Sequence, residues 1–202
     1  MSTSSLRKRH KAAYHHGELK AALLTAAGTL LEKQGVEYLS LREAARLAGV
    51  SHNAPYRHFP DRDALLAALA AEGFRLLGNA LEEAGKNGPQ ARGEAYVRFA
   101  LEHPRRFRLM FGGGIRLEAH PALREHASRA YDGLVRAFAT MGDARGAEVA
   151  AAAAWSLTHG LANLLLDGHF LRATNDGRET QGFVRAVLGA IRITLGAQRS
   201  VA

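Results

Sequence analysis

Cysteine is absent from all 202 residues, which excludes disulfides and thiolate metal sites. That usage is compatible with a reducing cytoplasm, the expected compartment. Strand-forming residues are scarce: valine and isoleucine together number 11, against 39 alanines and 28 leucines. Alanine and leucine favour helix, so the expected fold is all-α. No unbroken apolar run reaches the roughly 18 residues of a membrane span, and none is expected. Met1 to Lys11 carries a basic cluster with no apolar stretch behind it, unlike a secretory signal. The nucleophile elbow, the His-Glu-x-x-His zinc motif, the Walker loop and the dinucleotide-binding glycine fingerprint are all missing. Gly112-Gly113-Gly114 lacks the Lys-Ser/Thr of a phosphate loop and reads as a helix break. His15-His16 precede a helix, and the side chains of His120 and His126 diverge. No metal, no cofactor and no enzymatic activity are therefore expected.

What is present is an apolar, basic chain. Hydrophobic residues make up 47% of it, enough for a sizeable core. The net charge of +8 is uneven: residues 1–60 hold 9 Lys/Arg against 4 Asp/Glu, and residues 61–202 hold 18 against 15. A basic lobe suits a polyanion, most commonly nucleic acid.

Read along the chain, residues 1–13 form a polar arm expected to be disordered, with Arg7, Lys8, Arg9 and Lys11 clustered. Leu19, Leu23, Ala26, Ala27, Leu30 and Leu31 line one face of a first helix over 18–34, which Gly35 ends in the left-handed conformation. Ser40-x-x-Glu43 has the form of a reciprocal capping box. Ala44, Ala45, Leu47 and Ala48 supply the buried face of the second helix, Gly49 permits a sharp turn, and Val50 anchors it. Ser51 caps a third helix over about 52–58, Phe59-Pro60 breaks it, and Asp61 caps a long fourth helix. The loop 85–93 separates the halves. Further helices are expected near 91–103, 104–111, 120–141, 145–171 and 180–196, with breaks at 112–114 and 174–177. The total is about nine helices.

Two short helices joined by a tight turn cannot bury a core alone, and the first helix stands behind them. The spacing is that of a helix-turn-helix, whose second helix enters the major groove. His52, Asn53 and Ala54 then meet base edges, with Arg42 reaching in from the second helix. Tyr56, Arg57, His58 and Arg62 suit phosphate oxygens, as does Ser40 at its helix N-terminus. Pro55 leaves two placements. With Ser51 as cap it forfeits one intrahelical bond; with Asn53 as cap it fits freely, but Asn53 is then engaged with backbone.

Tyr14-His15-His16-Gly17, the Gly35 stop, Leu39-Ser40-Leu41-Arg42-Glu43-Ala44-Ala45, Gly49-Val50-Ser51 and Tyr56-Arg57-His58-Phe59 resemble the DNA-binding domain of TetR/AcrR transcriptional regulators. The resemblance implies a homodimer on a palindromic double-stranded operator. It implies that Arg42, His52, Asn53 and Ala54 face bases, while Ser40, Tyr56, His58 and Arg62 face phosphates. The family usually has Lys at position 62, and Arg62 keeps the charge. Residues 14–62 form the DNA-binding domain on this reading, and residues 63–202 a helical domain for ligand binding and dimerisation. Ala100 to Phe111 and Trp155-Ser156-Leu157-Thr158-His159-Gly160 resemble the C-terminal subgroup known for its Trp/His/Gly motif.

In that half, Phe99, Phe107, Met110, Phe111, Tyr131, Phe138, Trp155 and His159 are available to line a cavity for a small effector. Aromatics at helical spacing serve equally as core, and His159 reads either as a ligand contact or as a buried histidine. Helices over 147–166 and 182–196 are apolar or small on nearly every side, as self-associating helices are. The expectation is a ligand-responsive regulator, a repressor released from its operator by a small molecule. The competing expectation is a helical enzyme or small-molecule carrier with an incidental helix-turn-helix.

Overall fold

Helix is the only regular structure among the described residues of the computed structural model, which are 3–140, 143–170 and 176–190, with side chains from Gly17 onward. Eight α-helices and three short 3-10 helices follow one another: α1 Thr3–Gln34, α2 Leu41–Leu47, α3 Arg62–Gly85, α4 Pro89–Glu102, α5 Pro104–Phe111, α6 Pro121–Ala137, α7 Ala144–Leu166 and α8 Gly177–Ala190. The 3-10 turns are Val36–Tyr38, Pro55–Arg57 and Leu117–Ala119. Proline opens α4, α5, α6 and the middle 3-10 turn, where its missing N–H would have had no intrahelical partner.

α1 starts at Thr3, so its backbone runs through most of the segment expected to be a disordered arm. No proline interrupts residues 3–34, and alanine, leucine, lysine and arginine are good helix formers. Side chains 3–16, including the basic cluster and Tyr14-His15-His16, lie outside the described ones. So do residues 171–175, which run from the end of the helix expected over 145–171 into the expected 174–177 break, and the last turns of the helix expected over 180–196. Gly35 ends α1 at φ 100° and ψ 170°, positive as expected but extended rather than left-handed helical.

The missing ninth helix is the one over 52–58. A turn and a 3-10 helix stand there, with Ala54 N–H donating to the Ser51 carbonyl and His58 N–H to that of Pro55, both at 2.9 Å. Pro55 has no N–H to begin a full α-helical ladder from Ser51, and the segment is too short to recover it.

The first core joins α1, α2 and the start of α3: Leu23, Ala27, Leu30 and Leu31 pack on Leu39, Leu41, Ala44, Phe59, Leu65 and Leu69. Val50 packs at its edge. Leu47, expected inside, is 46% exposed, because the seven-residue α2 turns that side to solvent. α3 is the axis of the other half, with α4, α5 and α6 against it. α5 nests between α1 and α3 through two glycines. A methyl on Gly73 would meet Met110 Sδ at 2.5 Å, and one on Gly28 would meet Arg106 Nη2 at 2.5 Å. A larger residue at Gly73 would hold α5 away, since Met110 Cγ and Arg106 Cγ crowd it as well, whereas at Gly28 only the end of the Arg106 side chain has to move.

The expectation that nothing here is apolar enough to cross a bilayer needs correction. α3 and α7 both have the length and composition to do so. α3 is explained by burial, with ten residues in the core. α7 keeps Val149, Leu157 and Leu164 exposed.

Candidate DNA interface and ligand cavity

Ser40 stands in extended conformation before α2, and its Oγ accepts from the Glu43 N–H at 3.1 Å. The other half of the expected capping box is not formed: the Glu43 carboxylate accepts instead from Arg46 Nε at 2.9 Å. Gly49, at φ 71°, makes the turn after α2 in a conformation that side chains disfavour. Beyond it Ser51, His52 and Asn53 are exposed, Ala54 is half-buried and Pro55 is buried. The cap of the 3-10 turn is Ala54, with no side-chain bond, so Asn53 caps nothing and its amide is open to solvent. The two placements left open by Pro55 are thereby narrowed, since neither Ser51 nor Asn53 closes the segment with its side chain.

Arg42, Tyr56 and Arg57 are exposed, Tyr56 to 51%, while His58 is half-buried beside Phe59. Arg62 is engaged within the chain. Its Nε donates to the Leu39 carbonyl at 2.8 Å and its Nη2 donates to that of Val36. It braces the loop before α2 against the start of α3, with further guanidinium donors remaining.

A cavity of about 320 Å³ lies between α3, α4, α5, α6 and α7. Of the residues expected to line one, Met110, Phe111, Tyr131, Phe138 and Trp155 do. Phe99, Phe107 and His159 do not. Phe99 and Phe107 are buried in the core behind the wall, where side chains of α4 and α5 interlock. His159 stands behind the cavity wall, packed edge-on to Phe111 at 4.8 Å between ring centroids, near the Trp155 ring and hydrogen-bonded to Tyr96.

Tyr96 was not anticipated, since nothing in its local sequence separates it from a core aromatic. It lines the cavity, and its hydroxyl accepts from Trp155 Nε1 at 3.1 Å and lies 2.9 Å from His159 Nδ1. Indole N–H can only donate, so the Tyr96 oxygen accepts from Trp155, while its bond with Nδ1 of a neutral imidazole takes its direction from the tautomer. Burial holds the His159 imidazole below its ordinary 6.5, consistent with this neutral form. Burial also pushes the Tyr96 hydroxyl up, partly offset by the Trp155 bond. Arg92 and Thr158 complete the polar wall and were likewise missed. His120, weighed with His126 for a metal, instead lies 2.8 Å from Asp63 on α3.

α5 faces two ways. Leu109, Met110 and Phe111 line the cavity at its end. At its beginning, Arg105 Nη1 donates to the Glu32 carbonyl at 2.8 Å and the Arg106 N–H donates to the Glu32 carboxylate at 3.2 Å. Glu32 belongs to the last turn of α1, directly before the loop that Arg62 braces.

Residues 23–69 match the family profile described as bacterial regulatory proteins, tetR family. Residues 89–190 match that described as tetracyclin repressor-like, C-terminal domain. A solved structure from Rhodococcus sp. RHA1, of a protein described as having unknown function, is 38% identical, with a TM-score of 0.71; the match covers 88% of this chain and 93% of that one. The TetR family regulator PfmR from Thermus thermophilus is 20% identical, with a TM-score of 0.57 over 85% of this chain and 99% of that one. RolR, solved in complex with resorcinol, is 23% identical, with a TM-score of 0.55 over 90% and 91%. Among proteins of curated function no match is found.

Proposed function

This chain belongs to the TetR family of bacterial regulatory proteins, and from that membership we propose that it works as a homodimeric repressor released from a palindromic operator by a small molecule. It is a ligand-responsive transcriptional regulator rather than an enzyme, with the cytoplasm as its place of work. Arg42, His52, Asn53 and Ala54 face bases in this reading. The exposed, uncommitted Asn53 amide suits a bidentate contact to adenine. Ser40, Tyr56, Arg57 and His58 hold phosphates, and Arg62 adds its remaining donors. The unit over 14–62 carries these contacts, and the half from 63 carries the effector and the dimer contact.

The observation that carries the regulatory reading is the double engagement of α5. A molecule entering the cavity presses on Met110 and Phe111, and the same short helix grips Glu32. A shift of α5 therefore moves the end of α1 and the recognition unit attached to it. In a dimer this changes the distance between recognition segments away from the roughly 34 Å separating successive major grooves. Support for effector binding in this fold comes from RolR, which holds resorcinol.

The dimer contact falls to α7 and α8. Val149, Leu157 and Leu164 lie on one exposed face of α7, and α8 exposes Gly182, Ala186 and Gly189. Apolar and small surfaces of this kind pair closely across a two-fold axis. A carrier or enzyme reading would account for the cavity but leave the recognition unit without a role.

The test is DNA binding. Selection from a random pool should recover a palindrome, with affinity falling steeply as salt rises. Tyr56→Phe should weaken binding to all sequences alike, and Asn53→Ala should relax preference at one base pair by about 1–3 kcal/mol. Absence of binding at low salt to any fragment of its own promoter region would sink the proposal.

A further inference from the structure

The polar groups of the cavity wall fall into two sets. Thr158 donates to the Ala154 carbonyl, Trp155 donates to Tyr96, and the Tyr96 hydroxyl is hydrogen-bonded to His159 Nδ1. These are satisfied within the protein. Arg92 and Tyr131 also line the cavity, yet neither side chain makes a hydrogen bond or ion pair among the described residues.

Arg92 is the unusual one. It lies in the first turn of α4, and its guanidinium rests against the backbone of α3 at Gly85. A methyl there would collide with Nη2 and come within 2.6 Å of the guanidinium carbon. Some arginines have carboxylates: Arg75 pairs with Glu72, Arg108 with Asp167, Arg129 with Glu125 and Arg185 with Glu94. Others, such as Arg42, Arg57 and Arg98, have none but stand outside the cavity that Arg92 lines. Arg92 has none in contact. Burial disfavours its charge; Glu82 supports it through space and Arg136 opposes it. A guanidinium remains charged under these conditions. It is thus a cation at the edge of an otherwise apolar chamber, with a second cation nearby. Its planar fork matches a carboxylate.

We propose that the effector is a small apolar acid, whose carboxylate pairs with Arg92 while its hydrocarbon or aromatic body fills the space beside Phe74, Leu77, Met110 and Phe111. The inference rests on the cavity being the effector site. The Tyr131 hydroxyl offers a second donor to the bound molecule.

Trp155 supplies the readout, being the only tryptophan of the chain and part of the cavity wall. The intact protein is titrated with phenylacetate, phenylbutanoate and octanoate, and with the amide of each, while Trp155 emission is followed. At least one acid should bind about tenfold or more tighter than its own amide. Arg92→Gln should bring that acid down to its amide while leaving amide binding unchanged. Gly85→Ala, which displaces the guanidinium without removing it, should reduce the preference. Helical circular dichroism checks that both variants fold. Equal binding of acids and amides by the unmodified protein overturns the inference and leaves the cavity reading standing. An acid preference that survives in Arg92→Gln does the same. If no acid and no amide perturbs Trp155, the cavity itself is not the effector site, and both readings fall together.

Discussion

At the scale of single residues, Arg62 and His159 both take their hydrogen-bond partners from distant parts of the chain. The sequence marks Arg62 as a cation at the right place for phosphate. Only the folded chain shows two of its donors on the Val36 and Leu39 carbonyls, 26 and 23 residues away. His159 is similar. Its spacing from Trp155 places both on one side of α7, but its hydrogen-bond partner Tyr96 lies 63 residues distant. Because burial holds the folded imidazole below the ordinary 6.5, the unfolded chain takes up a proton first as pH falls. The neutral-histidine contribution is complete above 6.5 and is lost as pH drops from 6.5 through the folded value. Thermal midpoints measured across that window should fall more in the unmodified protein than in His159→Gln, and equal slopes would show that burial does not hold the folded imidazole neutral.

At the scale of elements, the starts of α2 and α3 were legible at Ser40 and Asp61, whereas α1 begins at Thr3 rather than near 18; other starts have the same local chemistry. Asp61 and Asp143 accept from the N–H three residues on, at Ala64 and Gly146, both at 2.8 Å, and prolines open the helices between. The recognition segment was less so: a single proline moved it from helix to 3-10 turn. The nesting of α5 was invisible, since a glycine within a helix carries no mark of what approaches it. Two glycines of α3 make this testable. At Gly78 a methyl meets nothing within 4 Å, whereas at Gly73 it strikes Met110. Gly78→Ala should stabilise the protein by roughly 0.5–1 kcal/mol through helix propensity. Gly73→Ala should destabilise it by about 1–3 kcal/mol through overpacking. Urea unfolding of both variants measures the contrast, and the same sign for both would show that α5 is not held where we place it.

At the scale of the whole molecule, the proposed dimer pairs the exposed apolar face of α7 and the small residues of α8 across a two-fold axis. A methyl on Gly182 meets nothing within 4 Å in the single chain. Gly182→Leu should therefore leave each subunit folded while preventing close pairing of the helices. Light scattering should show a monomer, and operator affinity should fall by roughly 10²–10⁴ as the two half-sites lose their linkage. A variant that remains dimeric with full affinity would place the interface elsewhere.

The class of fold, the family and the position of the recognition unit, though not the 3-10 form of its second segment, could be read from the sequence alone. Each depends on local composition, on capping and turn residues, or on a motif held within some fifty positions. Which aromatics line the cavity and which stand behind it could not, because 3.6-residue periodicity shows that a face is buried but not against what. Nor could the contact of α5 with both the cavity and Glu32, or the place of Arg92 in the wall without a counter-charge. These are relations between helices far apart in the chain, and only packing brings them together.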